Sequence, residues 1–120
     1  MSVKILVLED SMILLKLISS ILKAKGYEII ECQSVAEAKA VNEHISMAIL
    51  DYQLPDGNGL DVAMYLKIKN SSLPMMLLTA RGSRVSRQEA VAAGIREYCE
   101  KPLSGDVLSA KVAALIGKSV

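Results

Sequence analysis

The feature that most constrains this chain is a pattern repeated along its length: a short apolar run stops at a polar residue, and an amphipathic segment of helical period follows. The runs lie at Val3 to Leu8, Glu28 to Cys32, Met47 to Asp51, Met75 to Thr79 and within Ile95 to Glu100. Near-continuous hydrophobicity over so few residues predicts strands of a parallel sheet covered on both faces. A helix is predicted from Ser11 to Gly26, with Ile13, Leu14, Leu17, Ile18, Ile21 and Leu22 as its apolar positions. The capping box Ser34-x-x-Glu37 opens a second, expected to run through about His44. Asn58-Gly59 starts a third, carrying Leu60, Ala63, Met64 and Leu66 and fading at Lys69-Asn70. A fourth of roughly ten residues is expected up to Gly94, with Ser86-x-x-Glu89 as a candidate cap. Ser104 caps the last, with Leu108, Val112, Leu115 and Ile116 on one face.

Uninterrupted βα units with right-handed crossovers restrict the topology. They predict an α/β, flavodoxin-like (βα)5 doubly wound sandwich, its five-stranded parallel sheet in the order 2-1-3-4-5 with helices on both faces. No repeat, linker or low-complexity tract divides the 120 residues, so a single domain over 1–120 is expected, with no output domain in this chain. A hydrophobic fraction of 52% supports a packed core, and a net charge of +1 argues against nucleic-acid or membrane surfaces as partners. The absence of Trp and Phe removes the usual stacking platforms for single strands. Cys32 and Cys99 lie in no CxxC or Cys/His cluster and read as small buried hydrophobes of a reducing compartment. No signal-peptide architecture precedes the first strand and no apolar run approaches transmembrane length, so a cytoplasmic location is expected.

The expected topology brings the carboxyl ends of strands 1, 3, 4 and 5 to one crevice, and each ends in chemistry: Glu9-Asp10, Asp51, Thr79 and Lys101. One strand-ending Asp is ordinarily a turn former. Four coordinated endings are harder to attribute to chance. Converging carboxylates raise at least one pKa unless a cation is present. Oxygen donors without Cys or His suit Mg2+ or another hard divalent ion. Asp51 and Asp10 are the best direct ligands, Glu9 binds directly or through water, and the backbone carbonyl of Gln53 can add an oxygen. A carboxylate so placed can itself be a nucleophile toward phosphorus, giving an aspartyl phosphate. Lys101 is then the counter-charge, while the Thr79 hydroxyl and Ala80 N–H are donors to phosphoryl oxygens.

These residues carry a resemblance. Glu9-Asp10, Asp51, Thr79-Ala80 and Lys101-Pro102, with the loop Leu54-Pro55-Asp56-Gly57-Asn58-Gly59-Leu60, resemble the conserved set of CheY-like receiver domains of two-component response regulators. The likeness covers essentially the whole chain, and the ordered set is far more specific than any one motif. It implies a phosphorylation-activated switch of a two-component phosphorelay, with Asp51 as phosphoacceptor. It also implies a metal site of Glu9, Asp10, Asp51 and the Gln53 carbonyl for Mg2+ (or Mn2+), Lys101 paired with the phosphoryl group, and a cis bond before Pro102. Thr79 and Tyr98 would form the switch, acting on a helix 4–strand 5–helix 5 surface. Glu9 replaces the Asp common at the first acidic position. Gln53 and Arg81 occupy the positions that tune phosphoryl lifetime in that family.

The implied phosphodonor is a sensor histidine kinase, a histidine phosphotransfer protein or a small acyl phosphate. The implied target is a downstream effector or a fused output domain, and a homodimer through the helix 4–strand 5–helix 5 face is compatible with the family. Such a domain modifies itself and turns over no metabolite, so it is not expected to be an enzyme. Arg81, Arg84 and Arg87 recur three apart and read either as a solvated face or as a docking patch. His44 reads as a surface residue at a helix end. An aspartate-based phosphohydrolase of the haloacid dehalogenase type needs a second Asp where Gln53 stands, and a cap domain for which there is no room. A flavodoxin needs a Ser/Thr/Gly-rich phosphate loop where Glu9-Asp10 stand. A constitutive interaction module would not need the intact acidic site.

Overall fold

The computed structural model describes residues 2–117, so Met1 and the last three positions of the expected domain lie outside the described residues. Five parallel strands form one sheet: β1 (Lys4–Leu8), β2 (Glu28–Cys32), β3 (Met47–Asp51), β4 (Met75–Thr79) and β5 (Glu97–Glu100), in spatial order β2-β1-β3-β4-β5. Five helices connect and close them: α1 (Met12–Lys23), α2 (Val35–Lys39), α3 (Gly59–Lys69), α4 (Arg87–Ala92) and α5 (Gly105–Gly117). The predicted flavodoxin-like order holds. No described helix is long and apolar enough to cross a membrane.

Strand alternation explains the two cores. Ile5, Val7, Met47, Ile49, Met76 and Leu78 face α1 and α5, where Leu15, Ile18, Leu22, Leu108, Val112 and Leu115 cover them. Leu6, Leu8, Ala48, Leu50, Met75 and Leu77 face the other way, onto α2, α3 and α4. Every residue of β3 and β4 is buried, as central parallel strands require. Met75 and Met76 fill opposite cores, and Cys32 and Cys99 are buried free thiols.

The caps form as predicted. Ser11 Oγ accepts from Leu14 N, Ser34 from Glu37 N, Ser86 from Glu89 N and Ser104 from Val107 N. Helix extents depart from expectation. α2 stops at Lys39 rather than near His44, and α4 holds six residues rather than about ten. Val41 and Asn42 are poor helix formers, and the chain must run back to β3, where Ser46 N donates to the Lys4 carbonyl at 2.7 Å. His44 is therefore an exposed residue of an irregular connection rather than of a helix end.

The buried stripe of α1 also differs. Ile13 and Leu17 are 85% and 55% exposed, whereas Leu15, Ile18, Ser19 and Leu22 are buried. The apolar arc of this helix is wide, running from Ile13 through Ile21 to Leu15, and the stripe it buries lies at one edge of that arc rather than at its centre. A polar bond accompanies the rotation adopted: the buried Ser19 hydroxyl donates to Glu31 at 2.6 Å on the neighbouring strand. On α3, Met64 is 55% exposed, and Val62 takes its place in the core.

Candidate functional site

The sheet delivers its polar endings to one place. β1 and β3 are neighbours whose connections leave toward opposite faces, the point at which open α/β sheets form a crevice. The cleft there is lined by Asp10, Asp51, Gln53, Thr79, Ala80 and Lys101, together with Tyr52, Leu54, Pro55 and Ser83. Neither Ser83 nor Tyr52 stood out in the sequence, since nothing local marks a turn residue as facing a site on another strand.

Glu9 follows β1 and is only 2% exposed. Its backbone N–H donates to the Cys32 carbonyl at 2.9 Å, extending the β1–β2 ladder by one residue. Both carboxylate oxygens are engaged, one by Lys101 Nζ at 2.7 Å and the other by Ser11 N–H at 3.0 Å. Asp10 beside it is exposed. Lys101 also reaches the Asp51 carboxylate at 3.1 Å, and its own N–H is fixed to the Thr79 carbonyl at 2.8 Å. The ammonium therefore bridges two acids held by separate strands. The Lys101-Pro102 bond is cis, as the resemblance implied.

Asp51 closes β3 at 6% exposure. Burial, and then the Glu9 carboxylate, push its pKa up to about 6 against the pull of Lys101. Burial works against the Lys101 ammonium too, but pairing with Glu9 and Asp51 outweighs it and raises that pKa. Glu9, Asp10 and Asp51 each offer a carboxylate oxygen, all within 4.8 Å of one another. Three acids against one ammonium leave the cluster short of positive charge, and the donors are hard oxygens alone. That set fits Mg2+ or Mn2+.

The loop after Asp51 presses closely on it. Gly59 opens α3 behind the Asn58 cap, whose side chain accepts from Leu60 N and Asp61 N at 2.9 and 3.1 Å. A Cβ on Gly59 would lie 2.1 Å from the Asp51 carbonyl oxygen, so only glycine permits this approach. Between them, Gln53 pairs with Asn58 and Leu54 with Gly57 in a small antiparallel hairpin, where the Pro/Gly/Asn pattern predicts only a loop.

Thr79 is buried at 1% exposure, and its hydroxyl has no hydrogen-bond partner. Such an orphan is costly unless something else uses it. Tyr98 is not bonded to it. The tyrosine pairs with Leu77 across the β4–β5 ladder and donates its hydroxyl to the Val85 carbonyl at 3.0 Å. The Arg87 guanidinium lies 4.8 Å from the centre of the Tyr98 ring. Of the three spaced arginines, Arg87 thus has an internal partner, while Arg81 and Arg84 are exposed outside the cleft lining.

The chain matches the family model described as the response regulator receiver domain over residues 5–113. It is 32% identical over 118 residues to the two-component response regulator PhoP of Pseudomonas aeruginosa, a match covering 97% of this chain and 52% of that protein. It is 29% identical to the chemotaxis protein CheY1 of Helicobacter pylori, covering 95% of this chain and 97% of that one. In fold it matches the crystal structure of a CheY-like receiver domain protein from Methanospirillum hungatei with a TM-score of 0.92 at 24% identity, over 99% of this chain and 97% of the other. The chain spans about half the length of curated relatives such as PhoP.

Proposed function

The chain belongs to the response regulator receiver family, whose domains are phosphorylation-activated signalling switches, and on that premise we propose that Asp51 is the phosphoacceptor of a two-component relay. One observation carries the assignment: a buried carboxylate at the end of β3, with an ammonium 3.1 Å away and two further acids beside it, faces an open cleft. In the transfer, an Asp51 oxygen attacks phosphorus as the donor's P–N bond breaks. The bonding pair stays on the donor imidazole, which takes a proton from solvent. With a small acyl phosphate, the bond broken is P–O and the pair leaves on a carboxylate.

Asp10 and Asp51 would hold the divalent ion directly, with the Gln53 carbonyl as a further donor. Glu9, both of whose oxygens are already engaged, acts from behind. Bound there, the ion supplies positive charge against the phosphoryl oxygens. Lys101 remains protonated and pairs with one such oxygen; the Thr79 hydroxyl and the Ala80 N–H donate to others. The orphaned Thr79 hydroxyl supports this role. Hydrolysis reverses the state when water attacks phosphorus and the Asp51 P–O bond breaks, and the exposed Gln53 and Arg81 side chains set its rate.

Once Thr79 turns to the phosphoryl group, Tyr98 exchanges its Val85 partner, and the α4–β5–α5 surface changes. That surface is proposed to act on an effector or a fused output domain, or to form a homodimer. Histidine kinases and phosphotransfer proteins are the proposed donors, and the free, buried Cys32 and Cys99 support a reducing, cytoplasmic setting. Incubation with Mg2+ and beryllofluoride or acetyl phosphate tests the reading. NMR shifts around Thr79 and Tyr98, or acyl-phosphate formation, are expected for wild type and absent in Asp51→Asn or with EDTA. No response in wild type, or one that survives Asp51→Asn, refutes it.

A further inference from the structure

α2 begins with help from a distant carboxylate. Ser34 satisfies the Glu37 N–H at 3.1 Å, but the preceding Val35 and Ala36 N–H groups donate to the two oxygens of Asp56, at 2.8 and 3.0 Å. Asp56 sits at the tip of the loop between β3 and α3, 21 and 20 residues along the chain from its donors. Those backbone N–H groups hold its carboxyl below the usual carboxylate range, although the residue is exposed. Gly57 follows directly, and a Cβ there would stand 3.1 Å from Val35 Cγ2, so the loop tip and the helix start are in contact.

The same loop forms one wall of the site. Gln53, Leu54 and Pro55 line the cleft over Asp51. At its foot the loop is tied by Gly59 N–H to the Tyr52 carbonyl at 2.8 Å and by two hairpin pairs, Gln53–Asn58 and Leu54–Gly57. Two-residue strands do not hold themselves in water. The tip needs an anchor, and the bidentate bond of Asp56 to α2 supplies one. We propose that Asp56 is a positioning residue for the phosphorylation pocket, clamping the loop tip to α2 and so holding the Gln53 carbonyl where the divalent ion takes it up. This rests on the reading of Asp51 as the acceptor in a metal-dependent site.

The test compares Mg2+ titrations of the wild-type chain, Asp56→Ala and Ser34→Ala, followed by amide NMR. Ser34→Ala removes the other cap of α2 without touching the loop. It therefore reports what weakening the helix start does by itself. Asp56→Ala is expected to bind Mg2+ about tenfold more weakly, the low end of what outer partners of metal ligands cost. Ser34→Ala should keep wild-type affinity. Asp56→Asn, which retains one acceptor oxygen, makes the same comparison if Asp56→Ala folds poorly. An unchanged affinity in the Asp56 variants, or an equal loss in Ser34→Ala, overturns the inference. A wild-type protein that takes no Mg2+ overturns instead the site reading beneath it.

Discussion

Gly59→Ala probes the closest contact at the site. The added methyl would stand 2.1 Å from the Asp51 carbonyl oxygen and 3.0 Å from its carbonyl carbon, where ordinary contact lies at 3.4–4 Å. The obstruction is backbone rather than the end of a flexible side chain, so the start of α3 or the end of β3 must move by about 1 Å. Overpacking of this kind costs about 1–3 kcal/mol. Separation also stretches the 2.8 Å bond from Gly59 N–H to the Tyr52 carbonyl, worth about 1 kcal/mol. At roughly 4 °C per kcal/mol for a domain of this size, the midpoint of thermal unfolding should fall by about 8–16 °C. Asp51 is one side of this contact and the loop beside it the other, so the pocket loses its geometry whichever yields, and phosphoryl acceptance should fall by more than stability accounts for, on the order of 100-fold for a misplacement near 1 Å. Circular dichroism melts and acetyl phosphate labelling below the melting transition measure the two effects. Gly117→Ala is the control, since a Cβ there meets nothing within 4 Å. A Gly59→Ala protein that melts and labels like Gly117→Ala would refute the reasoning.

The raised Asp51 pKa has a stability consequence in metal-free protein. A folded-state value near 6 against an ordinary 3.8 means that the folded protein holds a proton the unfolded chain has lost between those values. Stability from this group therefore falls as pH rises from about 4 to 6 and stays low above that. Asp51→Asn should then be more stable than wild type at pH 7 in EDTA, by on the order of 3 kcal/mol. The gap should close toward pH 4, and urea unfolding at both pH values checks it. Thr79→Val removes a buried hydroxyl that has no partner, so a gain of about 1 kcal/mol is expected in denaturant unfolding. The same variant should lose the beryllofluoride-induced NMR shifts at Tyr98. Gln53→Ala and Arg81→Ala should change the decay rate of the labelled protein without changing the initial rate of Mg2+-dependent labelling; an unchanged decay rate in both would remove their assigned role.

Much of the architecture was legible because the signals that carry it are local. An apolar run that stops at Asp51 or Thr79, a Ser three residues before the N–H it caps, and a Pro-Asp-Gly turn each act within a few positions. Strand bounds accordingly agreed closely, β2, β3 and β4 without adjustment, and each Ser or Asn cap lay where its side-chain oxygen predicted. Crossover handedness restricts five βα units to a doubly wound sheet, and the flavodoxin-like order expected for it is the one observed, bringing Glu9, Asp10, Asp51, Thr79 and Lys101 together.

What the sequence determined by itself was therefore where elements begin, which residues end the strands, and the chemistry those endings carry. Tertiary structure decided the rest, because it depends on groups far apart in the chain. The stripe α1 buries lies at one edge of a wide apolar arc, beside Ser19, which meets Glu31 on β2. α2 ends early because a cap specifies only a start, while packing and the return to the next strand specify the stop; α4 stops before Gly94 as expected and is short because it begins only at Arg87, behind its Ser86 cap. Residue type alone makes Glu9 a candidate metal ligand, direct or through water; only the structure shows that its oxygens are bonded to Ser11 N–H and to Lys101, 92 residues away. The Asp51 pKa arises from burial and from a neighbour on another strand, and the place of Asp56 from a helix start some twenty residues back. Hydrogen bonds, desolvation and contact forces act over a few ångströms of space. A sequence displays them only where neighbours in space are also neighbours in the chain.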